Sequence, residues 1–387
     1  MWRDFSVSSV SAGFVAVLVG FTSSAVIVFQ AAEAAGASPA EVSSWIGALC
    51  IGMGATSIGL SLYFRAPMLT AWSTPGAALL ATSLTGVTMA EAIGAFVVSA
   101  VLITTCGVTG WFERVMERIP QTIASAMLAG VLLRFGMDVF VAMKTEFVLV
   151  FTMFAAYLIV KRISPRYVIV MVLLIGTAIA WFQQLIQVDQ LGVDITNPVL
   201  TVPVFSWSAI VGIALPLFVV TMASQNVPGV AVIRAAGYKT PISPLISWTG
   251  GATLLLAPFG GYALNLAAIT AAICLGKEAH EDPSKRYTAA VSAGFFYLLL
   301  GVFGATVATV FAAFPKELVL AVAGLALLST IGTSLATAVR DEHNREAALI
   351  TFLITASGVT LFGIGAAFWG LVGGIAAMFA FSARRAQ

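Results

Sequence analysis

Apolar runs and short polar interruptions alternate along the whole chain, and the runs recur at membrane length. A helix needs about 20 mostly apolar residues to cross a bilayer, and by that measure the chain divides into about fourteen segments. In the first half they cover 9–30, 41–62, 68–84, 90–111, 119–137, 145–161 and 166–186. In the second half they cover 206–227, 242–257, 259–275, 286–313, 317–338, 345–362 and 365–382. The longest polar interruption, Gln187 to Pro203, separates the two sets, and its Val, Thr and Pro content reads as an extended external linker over 187–205. The pattern predicts an all-α integral membrane protein with one seven-helix repeat over 1–186 and a second over 206–387. An odd number of crossings per half sets the halves in opposite orientations. Local similarities agree: Ala34-Ala35-Gly36 with Ser38-Pro39 resembles Ala235-Ala236-Gly237 with Thr240-Pro241, and Trp45 and Gly47 parallel Trp248 and Gly250. Inverted repeats of this kind mark secondary transporters, whose site lies at the midplane where the repeats meet.

Two segments depart from a plain apolar helix. The third reads Ala66-Pro67-Met68-Leu69-Thr70-Ala71-Trp72-Ser73-Thr74-Pro75-Gly76 before it turns alanine-rich. A residue before proline avoids the α region, so the chain ahead of Pro75 reads as extended. Thr74 as N-cap with Pro75 at the first helical position is a strong helix start. The tenth segment repeats the plan in Pro258-Phe259-Gly260-Gly261-Tyr262-Ala263-Leu264-Asn265, with Asn265 as the cap of a helical run to Cys274. Both starts fall inside apolar stretches, and extended backbone at membrane depth needs protein or an aqueous cavity around it. Two half-helices there, each preceded by a short extended stretch, would aim free N–H groups and partial positive charge at one point, which suits an anion. The other reading makes them two loops at the membrane surface.

The eighth segment carries Thr221-Met222-Ala223-Ser224-Gln225-Asn226-Val227-Pro228-Gly229. Burying Gln225 and Asn226 is costly unless both are hydrogen-bonded, and Pro228 frees a nearby backbone carbonyl. The two amides either face a ligand or bind helices to one another. Their first-half counterpart, Thr22-Ser23-Ser24, either lines a cavity or bonds back to its own helix.

Composition supports this picture. Hydrophobic residues make up 60% of the chain and charged residues 9%, against roughly 45–50% and 25% in soluble domains, so most of the surface must face lipid. A net charge of +2, with no basic run carrying aromatics, excludes nucleic acid as a partner. Cys50, Cys106 and Cys274 are odd in number, sit in apolar runs and form no CxxC, and so read as small core residues rather than disulfides or metal ligands. His280 and His343 fall in predicted cytoplasmic loops, and no pair of carboxylates falls at midplane depth. The sequence therefore calls for no metal and no cofactor, and it lacks the nucleophile–base pair an intramembrane enzyme would need. The first apolar stretch lacks an A-x-A site and reads as a span rather than a cleaved leader.

Charge also orients the chain. One set of alternating loops holds Arg3, Arg65, Arg114, Arg118, Lys161, Arg162, Arg166, Arg234, Lys239, Lys277, Lys285, Arg286, Arg340, Arg345, Arg384 and Arg385, while the other holds only Arg134, Lys144 and Lys316. By the positive-inside rule both termini are expected in the cytoplasm. The opposite loops carry Glu33, Glu91, Asp189 and Asp194; Glu33 and Glu91 read as solvated residues or as groups in proton coupling. Glu113, Arg114, Glu117 and Arg118 read as an interfacial cluster, and Arg134 and Asp138, four apart on one helix face, as an ion pair.

With these residues in view the chain carries a family resemblance. Ser224-Gln225-Asn226-Val227-Pro228-Gly229 resembles the eighth-helix motif of the benzoate–proton symporter family, BenE. Trp72-Ser73-Thr74-Pro75-Gly76 and Pro258-Phe259-Gly260-Gly261-Tyr262-Ala263-Leu264-Asn265 are similar to that family's third and tenth helices, and the resemblance spans essentially the whole chain. It implies a fourteen-helix, seven-plus-seven inverted-repeat fold shared with nucleobase/ascorbate and sulfate/bicarbonate transporters. Helices 1–4 and 8–11 would form a core domain and helices 5–7 and 12–14 a gate domain, through which relatives often form homodimers. It further implies a bacterial inner-membrane location and import of a small aromatic carboxylate with a proton. The expected site has Ser73, Thr74, Pro75 and Gly76 with Asn265 as an anion cradle, Gln225 and Asn226 orienting the ligand, and Ser23 and Ser24 lining the cavity. Tyr262, with Phe21, Trp72 and Phe259, would flank an aromatic ring. Nucleobase relatives carry a carboxylate on the eighth helix where this chain has neutral Gln225, and an amide suits an anionic ligand better than a buried carboxylate does. A nucleobase or inorganic-anion transporter of the same fold is the nearest alternative. A passive channel and an intramembrane enzyme stand further off.

Overall fold

The helix starts explain much of the architecture. In the computed structural model, which describes residues 4–112, 121–163, 167–187, 192–277, 279–359, 361 and 366–383, Ser6 caps α1 (Val7–Ala34) in a reciprocal box with Ser9. Ser38, Pro39 and Glu41 make the same device at the start of α2 (Pro39–Phe64), as do Thr88 and Glu91 at α4 (Met89–Val108). Between them lie β1 (Thr70–Trp72) and the short α3 (Thr74–Ser83). The helices α5 (Gln121–Ala142), α6 (Phe147–Ile163) and α7 (Val168–Phe182) complete the first half.

The second half opens with α8, a helical span over Trp207–Arg234. Then come α9 (Ile242–Leu256), β2 (Leu264–Leu266), α10 (Ile269–Leu275), α11 (Tyr287–Val302), α12 (Gly304–Ala312), α13 (Lys316–Ala338), α14 (Arg345–Ala356) and α15 (Ala366–Ala383). Helical elements fall in every segment that the hydropathy pattern picks out. Among the described residues six helices are long and apolar enough to cross a membrane, or up to eight when α1 and the α11–α12 pair, both bent, count as one span each. The expected interfacial cluster of Glu113, Arg114, Glu117 and Arg118 lies outside the described residues, as do Arg3, Arg166, Asp189, Arg384 and Arg385. Arg134 and Asp138 form no ion pair, a correction to the i,i+4 expectation; Arg134 is exposed and is free to be solvated instead.

The helices pack in two sets. α2 lies along α11, α4 along α9, and α1 against α11, α3 and α10; separately, α5 packs on α13 and α14, α14 on α15, and α6 on α7. In the first set backbones meet directly: a methyl group on Gly54 would stand 2.7 Å from the Gly294 carbonyl oxygen, and one on Gly294 2.8 Å from that of Gly54. Small residues at such crossings let helices gain close packing that lipid cannot supply. The described part of the linker is extended and is held over the ends of the first set, with Thr196, Thr201 and Val204 donating backbone N–H groups to Val302, Pro258 and Ala90.

At the centre of the first set β1 and β2 pair antiparallel, with Thr70 opposite Leu266, Ala71 opposite Asn265 and Trp72 opposite Leu264. A two-stranded sheet leaves its outer N–H groups unpaired, and at this depth no water is at hand to satisfy them. Side chains of neighbouring helices take them up. Thr70 donates to Ser57 Oγ at 3.0 Å and Trp72 to Met53 Sδ at 3.1 Å, both on α2. Leu264 donates to Thr253 Oγ1 on α9 and Leu266 to Asn226 Oδ1 on α8, each at 3.0 Å.

Candidate functional site

A cavity of about 290 Å³ lies beside the strand pair, between the first helix set and α13. Its walls include Ser24 of α1, Trp72 of β1, Thr74 and Pro75 of α3, Ser224 and Gln225 of α8, Tyr297 of α11 and Thr330 of α13.

The α8 wall follows from two prolines. Proline has no N–H and its ring crowds the carbonyl four residues back, so the helix ahead of it must widen or break. Here it widens twice into π-turns, over Ile210–Ala214 ahead of Pro216 and over Met222–Asn226 ahead of Pro228. Wide turns of this kind are frequent at functional sites. The second one presents Ser224 and Gln225 to the cavity. Among the described residues no group hydrogen-bonds the Gln225 carboxamide, which is half-buried.

Asn226 is turned the other way. Its Oδ1 accepts from Leu266 N and its Nδ2 donates to Met222 Sδ at 3.2 Å, and the residue is fully buried outside the cavity lining. The expectation that it orients a ligand is therefore corrected: its amide braces β2. An alanine at 226 would leave the buried Leu266 N–H unpaired, at a cost of about 1–3 kcal/mol. Asn226→Ala should lower the thermal unfolding midpoint of the purified protein in detergent while Gln225→Ala leaves it in place; equal midpoints for the two would contradict the bracing role.

The α3 end differs in detail from the sequence expectation. Ser73, not Thr74, is the N-cap: its hydroxyl accepts from Gly76 N at 3.1 Å and in turn receives the hydroxyl of Thr221 on α8. Ser73 is fully buried and Gly76 has its N–H engaged, so neither lines the cavity. The cap moves back one residue because Ser73 carries the extended backbone angles that Thr74 was expected to have. Thr74 and Pro75 do line the cavity, and Thr74 keeps its N–H and hydroxyl without a protein partner among the described residues. The partial positive charge of the ten-residue α3 is thus delivered through Thr74.

Asn265 is not a helix cap. It sits within β2 opposite Ala71, its Nδ2 donates to Ala263 O at 2.9 Å, and α10 begins only at Ile269. The strand outcompetes the cap because β1 is there to pair with it. Ala267 and Ala268, which follow the strand, line the cavity instead. Tyr262 and Phe259 also lie outside the lining. The fully buried Tyr262 ring packs on Trp45 and Phe96, with centroids 6.0 and 5.5 Å away, and Phe259 offers its carbonyl to Ser44.

The α1 side joins two of the readings open in the sequence. Thr22 and Ser24 bond back to the carbonyls of Leu18 and Gly20. Ser24 Oγ also accepts the Trp72 indole N–H at 2.9 Å, which fixes the indole on the cavity wall. Phe21 supports Trp72 edge-on at 5.5 Å from behind. The Ser23 side chain lies outside the described residues. Tyr297, Thr270 and Thr330, none of them singled out by sequence, also line the cavity. The lining holds no aspartate, glutamate, histidine, lysine or arginine, and Arg286 is the one charged side chain that is buried among the described residues. Arg286 donates to the carbonyls of Leu275 and His280, tying down the far end of α10. Nearby, Tyr287 accepts from Arg65 and donates to Asp4, which holds the Asp4 carboxyl below its ordinary value.

Comparison with known proteins gives one consistent result. The model of the family BenE, described as benzoate membrane transport protein, matches residues 3–380. An inner membrane protein of Escherichia coli, YdcO, is 50% identical over 363 residues, covering 94% of this chain and 93% of its own. A benzoate membrane transport protein of Acinetobacter baylyi is 42% identical over 377 residues, covering 97% and 96%. Among solved structures the transmembrane domain of the cyanobacterial bicarbonate transporter BicA aligns with a TM-score of 0.61 at 11% identity, covering 97% of this chain and 98% of that one. SLC26A9 aligns with the same TM-score at 13% identity over 97% of this chain and 66% of its own. At such identities these two show the fold alone.

Proposed function

The chain belongs to the BenE family of benzoate membrane transport proteins, and from that premise we propose that it imports benzoate or a similar aromatic carboxylate with a proton, by alternating access. It is a membrane transporter and not an enzyme, as its family and its Acinetobacter baylyi relative are membrane transport proteins. One observation carries the substrate reading: the unpaired carboxamide of Gln225 faces the same small cavity as the N-terminus of α3. A carboxylate placed between them would accept from the amide and from Thr74, and its ring would lie against the Trp72 indole. The cavity volume, about 290 Å³, is near the lower end of ligand pockets of roughly 300–1,000 Å³, as a single-ring acid requires.

The two helix sets support the transport mode. The first set supplies most of the cavity wall and α13 of the second closes it with Ala326, Leu327, Thr330 and Thr333. Sliding of one set on the other would open the cavity to one side or the other, with the first set acting as core domain and the second as gate domain and dimer surface. A seven-plus-seven inverted repeat with fourteen crossings is supported by the strand and short helix that recur in each half. The inner membrane is supported by the E. coli relative, and cytoplasmic termini by the charge pattern. A nucleobase is disfavoured by the neutral Gln225.

The test is uptake of labelled benzoate into proteoliposomes with and without an inward proton gradient, with empty liposomes subtracted. Accumulation above equilibrium that collapses on adding a protonophore is expected. No excess over empty liposomes would overturn the benzoate reading. Facilitated equilibration that ignores the gradient would overturn symport alone.

A further inference from the structure

Among the described residues the central cavity is lined by no carboxylate, histidine or lysine, so symport needs a loading place elsewhere on the route. A second, larger cavity of about 820 Å³ opens at the end of the bundle where α1 stops and α2 starts, the side that the charge pattern sets outside. Its wall carries Glu33 of α1 and Asp194 of the linker, and among the described residues its lining includes no lysine, arginine or histidine. Its floor carries Ser43, which is 5% exposed and whose hydroxyl has no hydrogen-bond partner. A stacked pair of rings, Phe29 and Phe311 with centroids 4.5 Å apart, forms one wall. From Phe311 the aromatic contacts continue to Phe21 at 6.5 Å and from Phe21 to Trp72 at 5.5 Å, so one ladder of rings links the two cavities.

We propose that this outer cavity is a second binding site for the same aromatic acid, filled by the ligand and one proton together. The inference rests on the benzoate–proton reading above. The aromatic wall suits a ring acid, whereas two carboxylates with no cation beside them in the described lining repel its anion. One proton, taken from the outer solution and shared between the ligand carboxylate and Glu33 or Asp194, turns that repulsion into a charge-assisted hydrogen bond. The proton count belongs to the pair, whichever oxygen holds it. The other charged groups around this end are Glu41, engaged by its own cap at Ser38, and Lys316 and Glu317 at the start of α13. Glu317 receives the hydroxyl of Thr145, between Lys144 and Glu146 on the α5–α6 connection. None of these five lines the cavity.

The experiment is equilibrium dialysis of labelled benzoate against the purified full chain in detergent, alongside proteoliposome uptake. A free carboxylic acid ligand is ionised above about pH 4, so the apparent affinity of a site that takes it up with one proton falls about tenfold per pH unit above that. Two equivalents of benzoate per chain are expected at about pH 5 and one at about pH 8, given that slope. Gln225→Ala should weaken the binding of the equivalent that persists at the higher pH by roughly 10–150-fold. Glu33→Gln combined with Asp194→Asn should make the other equivalent independent of pH, because the neutral rim admits the anion. Ala308→Trp, which sets an indole into the lining of the outer cavity, should weaken that equivalent. One equivalent at both pH values with intact gradient-driven uptake would overturn the outer site and leave symport standing. A second equivalent that stays pH-dependent in the Glu33/Asp194 double variant would equally overturn it. Neither binding nor uptake would overturn both.

Discussion

Gln225→Glu should abolish benzoate uptake at neutral pH, whereas Gln225→Ala should only weaken it. The alanine variant loses one hydrogen bond to a charged ligand, about 1.5–3 kcal/mol, or roughly 10–150-fold at 1.4 kcal/mol per factor of ten. The glutamate variant loses the same bond and sets a second negative charge beside the ligand. At about 4 Å and an effective dielectric constant near 20, two unit charges of like sign cost about 4 kcal/mol, or close to a further thousandfold. The sign of the pH dependence follows. The repulsion is complete while the introduced carboxyl is ionised and is relieved as falling pH protonates it. The glutamate variant should therefore regain uptake on acidification while the alanine variant tracks the parent. Initial rates in proteoliposomes between about pH 5 and pH 8 decide the matter. Equal rates for the two variants would dismiss the electrostatic argument, and parental rates in both would move the ligand away from α8.

The part of this candidate site that could be read from sequence is the part whose signals are local. Pro67 and Pro75 announce an interrupted helix, and β1 and α3 stand where they point. Pro228 announces a disturbed α8, although the form of the disturbance, a π-turn that swings Gln225 toward the cavity and Asn226 away from it, depends on what each side chain meets. The misplaced residues are those whose role is decided by a distant partner. Asn265 has the composition of a cap, but its fate is set by Ala71, almost two hundred residues earlier in the chain and opposite it in the sheet. Asn226 looked like a ligand donor until the unpaired N–H of Leu266 claimed it. Tyr262 and Phe259 looked like ring contacts because they are aromatic and near the break, yet Trp45 and Phe96 already surround the one and Ser44 holds the backbone of the other. Tyr297 and Thr330 carried no signal, since a lone tyrosine or threonine in an apolar helix looks the same whether it faces lipid, protein or a cavity. The hydropathy pattern likewise locates apolar runs but does not count crossings, because the bent α1 and the broken α11–α12 pair are single runs in sequence.

The largest loss of stability is expected from Gly260→Ala. The chain turns at Gly260 from the short 3₁₀ turn Ala257–Phe259 back toward β2, with φ at 92°, in the left-handed region. A residue with a Cβ held there costs about 1–3 kcal/mol. The added methyl would also stand 1.8 Å from Cδ1 of Trp45, a ring that is 2% exposed and packed against Phe96 and Tyr262. Such a ring cannot move aside without disturbing both neighbours, and overpacking of a tight core costs about 1–3 kcal/mol more. Together the two effects come to about 2–6 kcal/mol, a large share of the roughly 5–15 kcal/mol that holds many folded domains. Because β2 follows four residues later and is paired to β1, the damage should reach the cavity wall as well. The matched control is Gly251→Ala on α9, where nothing lies within 4 Å of the new methyl and the helix gains roughly 0.5–1 kcal/mol in propensity. Thermal unfolding of the two purified variants in detergent should show a steep fall for position 260 and none for position 251. A Gly260→Ala protein with the parent's unfolding midpoint and uptake would mean that Trp45 does not sit on this turn, and the path from α9 into β2 would have to be redrawn.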